Sequence, residues 1–187
     1  MKVVIILGPQ AVGKMTIGEE LSKRLEVPLL FNHMTLDIIW PFIGWTPDTF
    51  RISQMIRKEI FEAVANNPDS PGIILTMLMF YDLQADWDIL NEYLAIFQSR
   101  GIDVCLVELE ADFGERLRRN TTENRMEKKP TKRDIERSTA DLLGAAEKNR
   151  LNSTPGEITH PHYLRLDVTN LTPEESAGKI IERFWGS

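Results

Sequence analysis

The chain of 187 residues is long enough to bury a sizeable core within one domain, and 42% hydrophobic with 27% charged residues is ordinary for a soluble globular protein. A net charge of −6 argues against a generic nucleic-acid surface, which needs basic residues to neutralise phosphates. No apolar run approaches the ~18 residues that span a bilayer, and Cys105, the single cysteine, excludes an intrachain disulfide and sits among apolar neighbours as a small hydrophobe.

Val3-Val4-Ile5-Ile6-Leu7 opens the chain as a strand with no polar alternation, the pattern of a strand buried on both faces of a parallel sheet. The run is too short for a secretory signal, so the expected location is the cytoplasm. Gly8-Pro9-Gln10-Ala11-Val12-Gly13-Lys14-Met15-Thr16 follows at once and reads as a phosphate-binding loop. Gly8 and Gly13 let the backbone curl so that N–H groups converge on polyphosphate oxygens, and Lys14 adds a positive charge. Ile17, Leu21 and Leu25 then mark one face of a helix whose positive dipole end points at the same phosphates. The expected nucleotide contacts are Gly8, Gln10, Ala11, Val12, Gly13, Lys14, Met15 and Thr16.

The spacing is the Walker A pattern Gly-x4-Gly-Lys-[Ser/Thr], except that Met15 stands where Ser or Thr is expected. Thr16 follows directly and is placed to reach Mg²⁺, alone or through a water. In this the loop is similar to the Gly-Lys-Gly-Thr loop of the adenylate kinase family. Over nearly its whole length the chain resembles P-loop small-molecule kinases of the nucleoside monophosphate kinase and shikimate kinase type. The resemblance implies an α/β fold, a three-layer α/β/α sandwich around a five-stranded parallel sheet of order 2-3-1-4-5. It also implies a single domain over 1–187, a helical lid over about 115–137, and use of ATP with Mg²⁺.

Val27-Pro28-Leu29-Leu30-Phe31 reads as a short second strand, and Asn32, His33, Thr35 and Asp37 leave its carboxyl end, where ligands bind in open α/β sheets. These residues form the candidate acceptor site. Shikimate kinases carry a Phe-x-Asp-x-Asp signature near this place, from which Phe31-Asn32-His33-Met34 departs. Asp37 either holds the acceptor hydroxyl as general base, orients it, or caps a helical turn; His33 is either part of the site or a satisfied polar residue. Trp40-Pro41-Phe42-Ile43-Gly44-Trp45 is apolar and turn-rich, its indoles belonging to the core or to a pocket with a flat, hydrophobic occupant.

Thr46-Pro47 starts a helix with an apolar stripe at Ile52, Ile56, Ile60 and Val64, ended by the loop from Asn66 to Gly72. Ile73 to Met79 is another central strand. Asp82 lies just past it, either facing Mg²⁺ or the acceptor, or capping the helix marked by Trp87, Leu90, Leu94 and Phe97. Val104 to Leu109 is a fourth strand. Beyond it, from Glu115 to Arg137, nine basic residues face five acidic ones, a local net of +4, which leaves −10 for the remainder.

In the resembling kinases this region is a lid whose arginines fold over the phosphates, and Arg116, Arg119 and Arg125 are placed to serve, with Arg116 and Arg125 in a catalytic role and Arg119 on the nucleotide. A helix beginning near Thr131, a loop from Asn152 to Pro161, a fifth strand over Tyr163 to Asp167 and a helix capped at Thr172 complete the chain. His160 and His162 lack a metal-ligand constellation. The segment after the fifth strand surrounds the adenine in the resembling families.

The function these features imply is transfer of the ATP γ-phosphoryl group to a nucleotide-, shikimate- or antibiotic-like small molecule, with Lys14 on the phosphates and Asp37 at the acceptor. The expected partners are a nucleotide and the acceptor, without membrane or nucleic acid, in a monomer or homodimer. A second reading is a nucleotide-binding switch ATPase without an acceptor. A GTPase switch would want an Asn-Lys-x-Asp motif and an Asp-x-x-Gly after a strand, and the sequence has neither.

Overall fold

A computed structural model describes residues 1–122 and 134–186. The elements run β1 (Lys2–Leu7), α1 (Lys14–Leu25), β2 (Leu29–Leu30), α2 (Asn32–Ile43), α3 (Pro47–Ala65), β3 (Gly72–Met77), α4 (Gln84–Gln98), β4 (Val104–Glu110), α5 (Phe113–Asn120), α6 (Ile135–Lys148), β5 (Tyr163–Asp167) and α7 (Pro173–Trp185). The five strands form one parallel sheet in the order β2-β3-β1-β4-β5. The expected α/β architecture and strand order are those observed.

β1 is central, with Val3 opposite Ile73 on one side and Val104 on the other. Its apolar residues part by strand alternation. Val3, Ile5 and Leu7 face Phe61, Tyr93 and Phe97 of α3 and α4, whereas Val4 and Ile6 face Ile17 and Leu21 of α1 and Ala177 and Ile180 of α7. Each such side chain taken fully out of water contributes about 1.5–3 kcal/mol. The P-loop therefore grows from the central strand of the sheet. Among the described residues no helix is long and apolar enough to cross a membrane.

Three local expectations change. β2 is two residues long, because Phe31 already serves as the N-cap of α2, so the residues after it begin a helix rather than trail from a strand. The Trp40–Ile43 stretch is the last turn of that helix, with Pro41 inside it and Gly44 ending it at φ 64°. α3 does start with a Thr46 capping box and Pro47, but its most buried line is Thr49, Ser53, Arg57 and Phe61. Ile52, Ile56, Ile60 and Val64 flank that line at intermediate exposure. The polar line turns inward because Thr49, Ser53 and Arg57 all find hydrogen-bond partners there.

Candidate active site

Strand β1 ends at Leu7 and the loop to α1 curls with positive φ at Gly8, Ala11 and Gly13 (141°, 59° and 112°). A Cβ at Gly8 would lie 2.6 Å from the Leu109 carbonyl oxygen of β4, so the loop can pass there only without a side chain. Gly13 caps α1 in the left-handed region with no side-chain cap, and no acid occupies the helix's first turn. The first N–H groups of a helix have no intrahelical partner, so this end is a ready anion site. Lys14 Nζ donates to the Gly8 and Pro9 carbonyls at 2.5 and 2.6 Å, which holds the ammonium across the mouth of the loop. Met15 is buried at 6% exposure, and Thr16 faces the cleft with its hydroxyl donating to Gly13 O at 3.0 Å. The donors, charge and open helix end fit the polyphosphate of a nucleotide.

The loop lies along a cavity of about 830 Å³ that Gln10 through Ile17 line on one side. Two further walls face it. One is the segment Val168–Pro173 after β5, together with Arg118, Arg119 and Thr122 of α5 and its end and Arg137 and Asp141 of α6. The other is Asn32, His33, Leu36, Trp45 and Phe50, with Thr76 and Leu78 from the end of β3. Trp45 and Phe50 stack with centroids 5.9 Å apart at 26°, and Trp40 packs on Trp45 at 6.2 Å without lining the cavity.

The arginines of α5 clasp the loop by its carbonyls. Arg119 donates to Val12 O at 2.9 Å, to Val168 O at 2.8 Å and to Thr169 O at 3.1 Å, and to Glu115 at 2.7 Å. Hydrogen bonds from Arg118, and then from Arg119, hold the Glu115 carboxyl down at about 2. Arg116 is 5% exposed, donates to Gln10 O at 2.9 Å and lies over the Phe113 ring at 5.6 Å. Burial pushes its guanidinium down to about 10. It stands behind the loop rather than on the cavity wall.

Of the candidate acceptor residues, Asn32 and His33 line the cavity, whereas Thr35 and Asp37 do not. Thr35 is buried and shares a 2.6 Å hydrogen bond with Ser53, fastening α2 to α3. Asp37 lies one helical turn behind His33, its Oδ1 3.4 Å from His33 Nδ1. Asp82 is exposed, off the cavity wall, and accepts from the Arg150 N–H at 2.9 Å, so it locks a surface turn. Arg125 lies outside the described residues. Among the described residues no group of three or more His, Cys, Asp or Glu could hold a metal ion.

Phe50 and Arg57 both escaped the reading of the sequence. Arg57 is 4% exposed and donates to Asn32 Oδ1 at 2.6 Å and to Thr76 O at 2.8 Å. Asn32 N–H in turn donates to Thr76 Oγ1 at 3.1 Å, so the ends of β2 and β3 are joined beneath the cavity. Burial lowers the Arg57 guanidinium. The signal for it was the i, i+4 spacing of Thr49, Ser53 and Arg57, a polar line on a helix whose flanks are apolar.

Compared by sequence, the chain matches no family profile and no curated protein. Compared by structure, it is similar to a candidate kinase from Chloroflexus aurantiacus, with TM-score 0.68 and 16% identity over 98% of both chains. It is also similar to an APS kinase from Mycobacterium tuberculosis in complex with AMPPNP and APS, with TM-score 0.61 and 13% identity over 97% of this chain and 96% of that one. A shikimate kinase from Acinetobacter baumannii in complex with shikimate superposes with TM-score 0.58 and 15% identity over 97% of this chain and 92% of that one. The fold is that of the P-loop small-molecule kinases.

Proposed function

We propose that the protein is a kinase that transfers the γ-phosphoryl group of ATP, with Mg²⁺, to a small-molecule acceptor. The observation that carries this reading is the continuity of one cavity from the P-loop and the open N-terminus of α1 to the wall formed by α2, Trp45 and Phe50. A nucleotide and a second small molecule can lie end to end there, with Lys14 at the junction. Kinases of the same fold, among them those for APS and shikimate, support it.

Lys14 and the loop amides bind the β and γ phosphates, and the Val168–Pro173 segment with Arg119 flanks the base end. Thr16, with water, would hold Mg²⁺, which needs few protein ligands. A metal ion held there would supply positive charge that offsets negative charge on the transferring group. Arg118 and Arg137 on the cavity wall contribute positive charge to the same end.

Lys14→Ala tests the assignment: γ-phosphoryl transfer and ADP release should fall by about 10³-fold or more with the circular dichroism spectrum unchanged. Turnover within a few-fold of wild type would overturn it.

A further inference from the structure

Arg57 of α3 holds its charge almost wholly out of water, at 4% exposure. Its terminal nitrogens rest on neutral oxygens, Asn32 Oδ1 at 2.6 Å and Thr76 O at 2.8 Å, and the face of the Tyr93 ring lies 5.5 Å away. The Nε–H is buried with no hydrogen-bond partner at all. A guanidinium stays protonated in proteins, so a full positive charge sits on neutral partners, an arrangement that is costly until an anion answers it.

The way this charge is held fixes what the cleft wall offers. A guanidinium has no acceptor, so the Asn32 atom turned to it is the amide oxygen, and Nδ2 with its two N–H bonds is turned away from it. Asn32 lines the cavity, whereas Arg57 does not. Thr76 repeats the pattern. Its carbonyl accepts from Arg57, its hydroxyl oxygen accepts from the Asn32 N–H at 3.1 Å, and the hydroxyl keeps its own hydrogen for donation. Thr76 also lines the cavity. Two neighbouring wall residues thus present donors, and one buried cation polarises both from behind.

We infer that Asn32 and Thr76, backed by Arg57, form an anion-binding subsite that takes a carboxylate or phosphate group of the phosphoryl acceptor. The inference rests on the kinase reading above. Asn32 Nδ2 and Thr76 Oγ1 donate to the anion. Arg57 is a positioning residue, which sets the orientation of the amide and supplies the charge behind it. Donors of this kind bind an ionised oxygen more strongly than a neutral one, and more so beside a wall closed to water. The subsite decides which small molecule is held rather than how fast phosphorus is transferred.

The test uses the full chain with a non-hydrolysable ATP analogue and Mg²⁺ bound, so that added anions are kept from the phosphate loop. The probes are benzoate and its neutral match benzamide, with phenyl phosphate beside them. Binding is followed by tryptophan fluorescence, since Trp45 lines the same cavity. Benzoate or phenyl phosphate should bind at least about tenfold more tightly than benzamide, and the tighter of the two identifies the group as carboxylate or phosphate.

Asn32→Asp gives Arg57 a carboxylate and withdraws the amide donors. Its urea midpoint should equal or exceed that of wild type and its affinity for the analogue should be unchanged, while the affinity for the anionic probes falls by about tenfold or more. A merely structural Arg57 would leave that selectivity where it was. Thr122→Asp adds the same charge on the α5 side of the cavity and should leave the preference for anions standing. Equal binding of benzoate and benzamide, or binding of neither anion, rejects the subsite and leaves the kinase reading in place. A preference that survives Asn32→Asp, or that both variants lose alike, places the anions elsewhere and also rejects it. A midpoint of Asn32→Asp below wild type means that Arg57 wants no counter-charge, which overturns the argument. If the wild-type chain does not bind the analogue, the kinase reading and the subsite fall together.

Discussion

Arg57 holds together the wall of the cleft that α2 and β3 form. Its guanidinium joins the Asn32 side chain at the start of α2 to the Thr76 carbonyl of β3 and lies over the Tyr93 ring at 5.5 Å. Arg57→Met keeps most of the volume but leaves Asn32 Oδ1 and Thr76 O without their donor in a buried place. The expected loss is about 2–4 kcal/mol, since a buried acceptor deprived of a charged donor bears its full desolvation cost. Urea unfolding monitored by fluorescence checks it, and a midpoint unchanged from wild type would mean that water replaces the guanidinium.

Between elements, the sharpest polar anchor is Glu108 on β4. Its carboxylate is wholly buried and accepts from Asn152 Nδ2 and Ser153 N at 2.8 Å and from Ser153 Oγ and Tyr163 OH at 2.6 Å. Burial opposes the charge, but the hydrogen bonds from Ser153, Tyr163 and Asn152 outweigh it and keep the carboxyl below its usual range. Strand β4, strand β5 and the loop before β5 are thereby tied at one point. Glu108→Gln places an amide donor against this set of donors, and the expected cost is about 2–3 kcal/mol, read as a lowered urea midpoint at unchanged m-value. A second anchor, Asn120, accepts from Ser138 Oγ at 3.0 Å and donates to Thr139 Oγ1 at 3.2 Å, which fixes α5 against α6 beside the cavity. In Asn120→Ala the affinity for a non-hydrolysable ATP analogue should fall several-fold, as Arg118, Arg119 and Arg137 lose their mutual placement. Calorimetry on the folded variant decides this.

For the molecule as a whole, acid sensitivity follows from carboxylates held low. Glu115 sits at about 2 because of Arg118 and Arg119, Glu157 at about 2 because of Arg150, and Glu108 and Asp167 are also below their usual ranges. A carboxyl whose folded value is depressed contributes stability that is present above its unfolded value, near 4.5 for Glu, and is lost as pH falls toward the folded value. Asp86, raised by burial, acts with the opposite sign and offsets a part. The urea midpoint should therefore hold near neutral pH and decline from about pH 5 down to about pH 2. A midpoint rising over that interval would contradict it. Because Glu115 also steadies Arg119 on the P-loop carbonyl of Val12, nucleotide affinity should weaken in the same direction.

What could be read along the chain was local. The apolar run of β1, the two glycines and lysine after it, the Thr46 and Thr172 caps and the alternation of strands with helices each depend on neighbours within a few residues, and together they imply a parallel sheet with a phosphate loop at its centre. The wall of the cleft at α2 was legible only as a cluster of polar residues after Phe31. Folding ranked them: a helix puts His33 on the wall and Asp37 one turn behind, sends Thr35 into the core against Ser53, and leaves Asp82 on a surface turn. Arg57 and the Trp45–Phe50 pair join that site from a helix and a loop that no spacing motif connects to it. Burial of an arginine is favourable only where partners from other elements meet it, and those partners, Asn32 and Thr76, come within reach only when α2, α3 and β3 pack together.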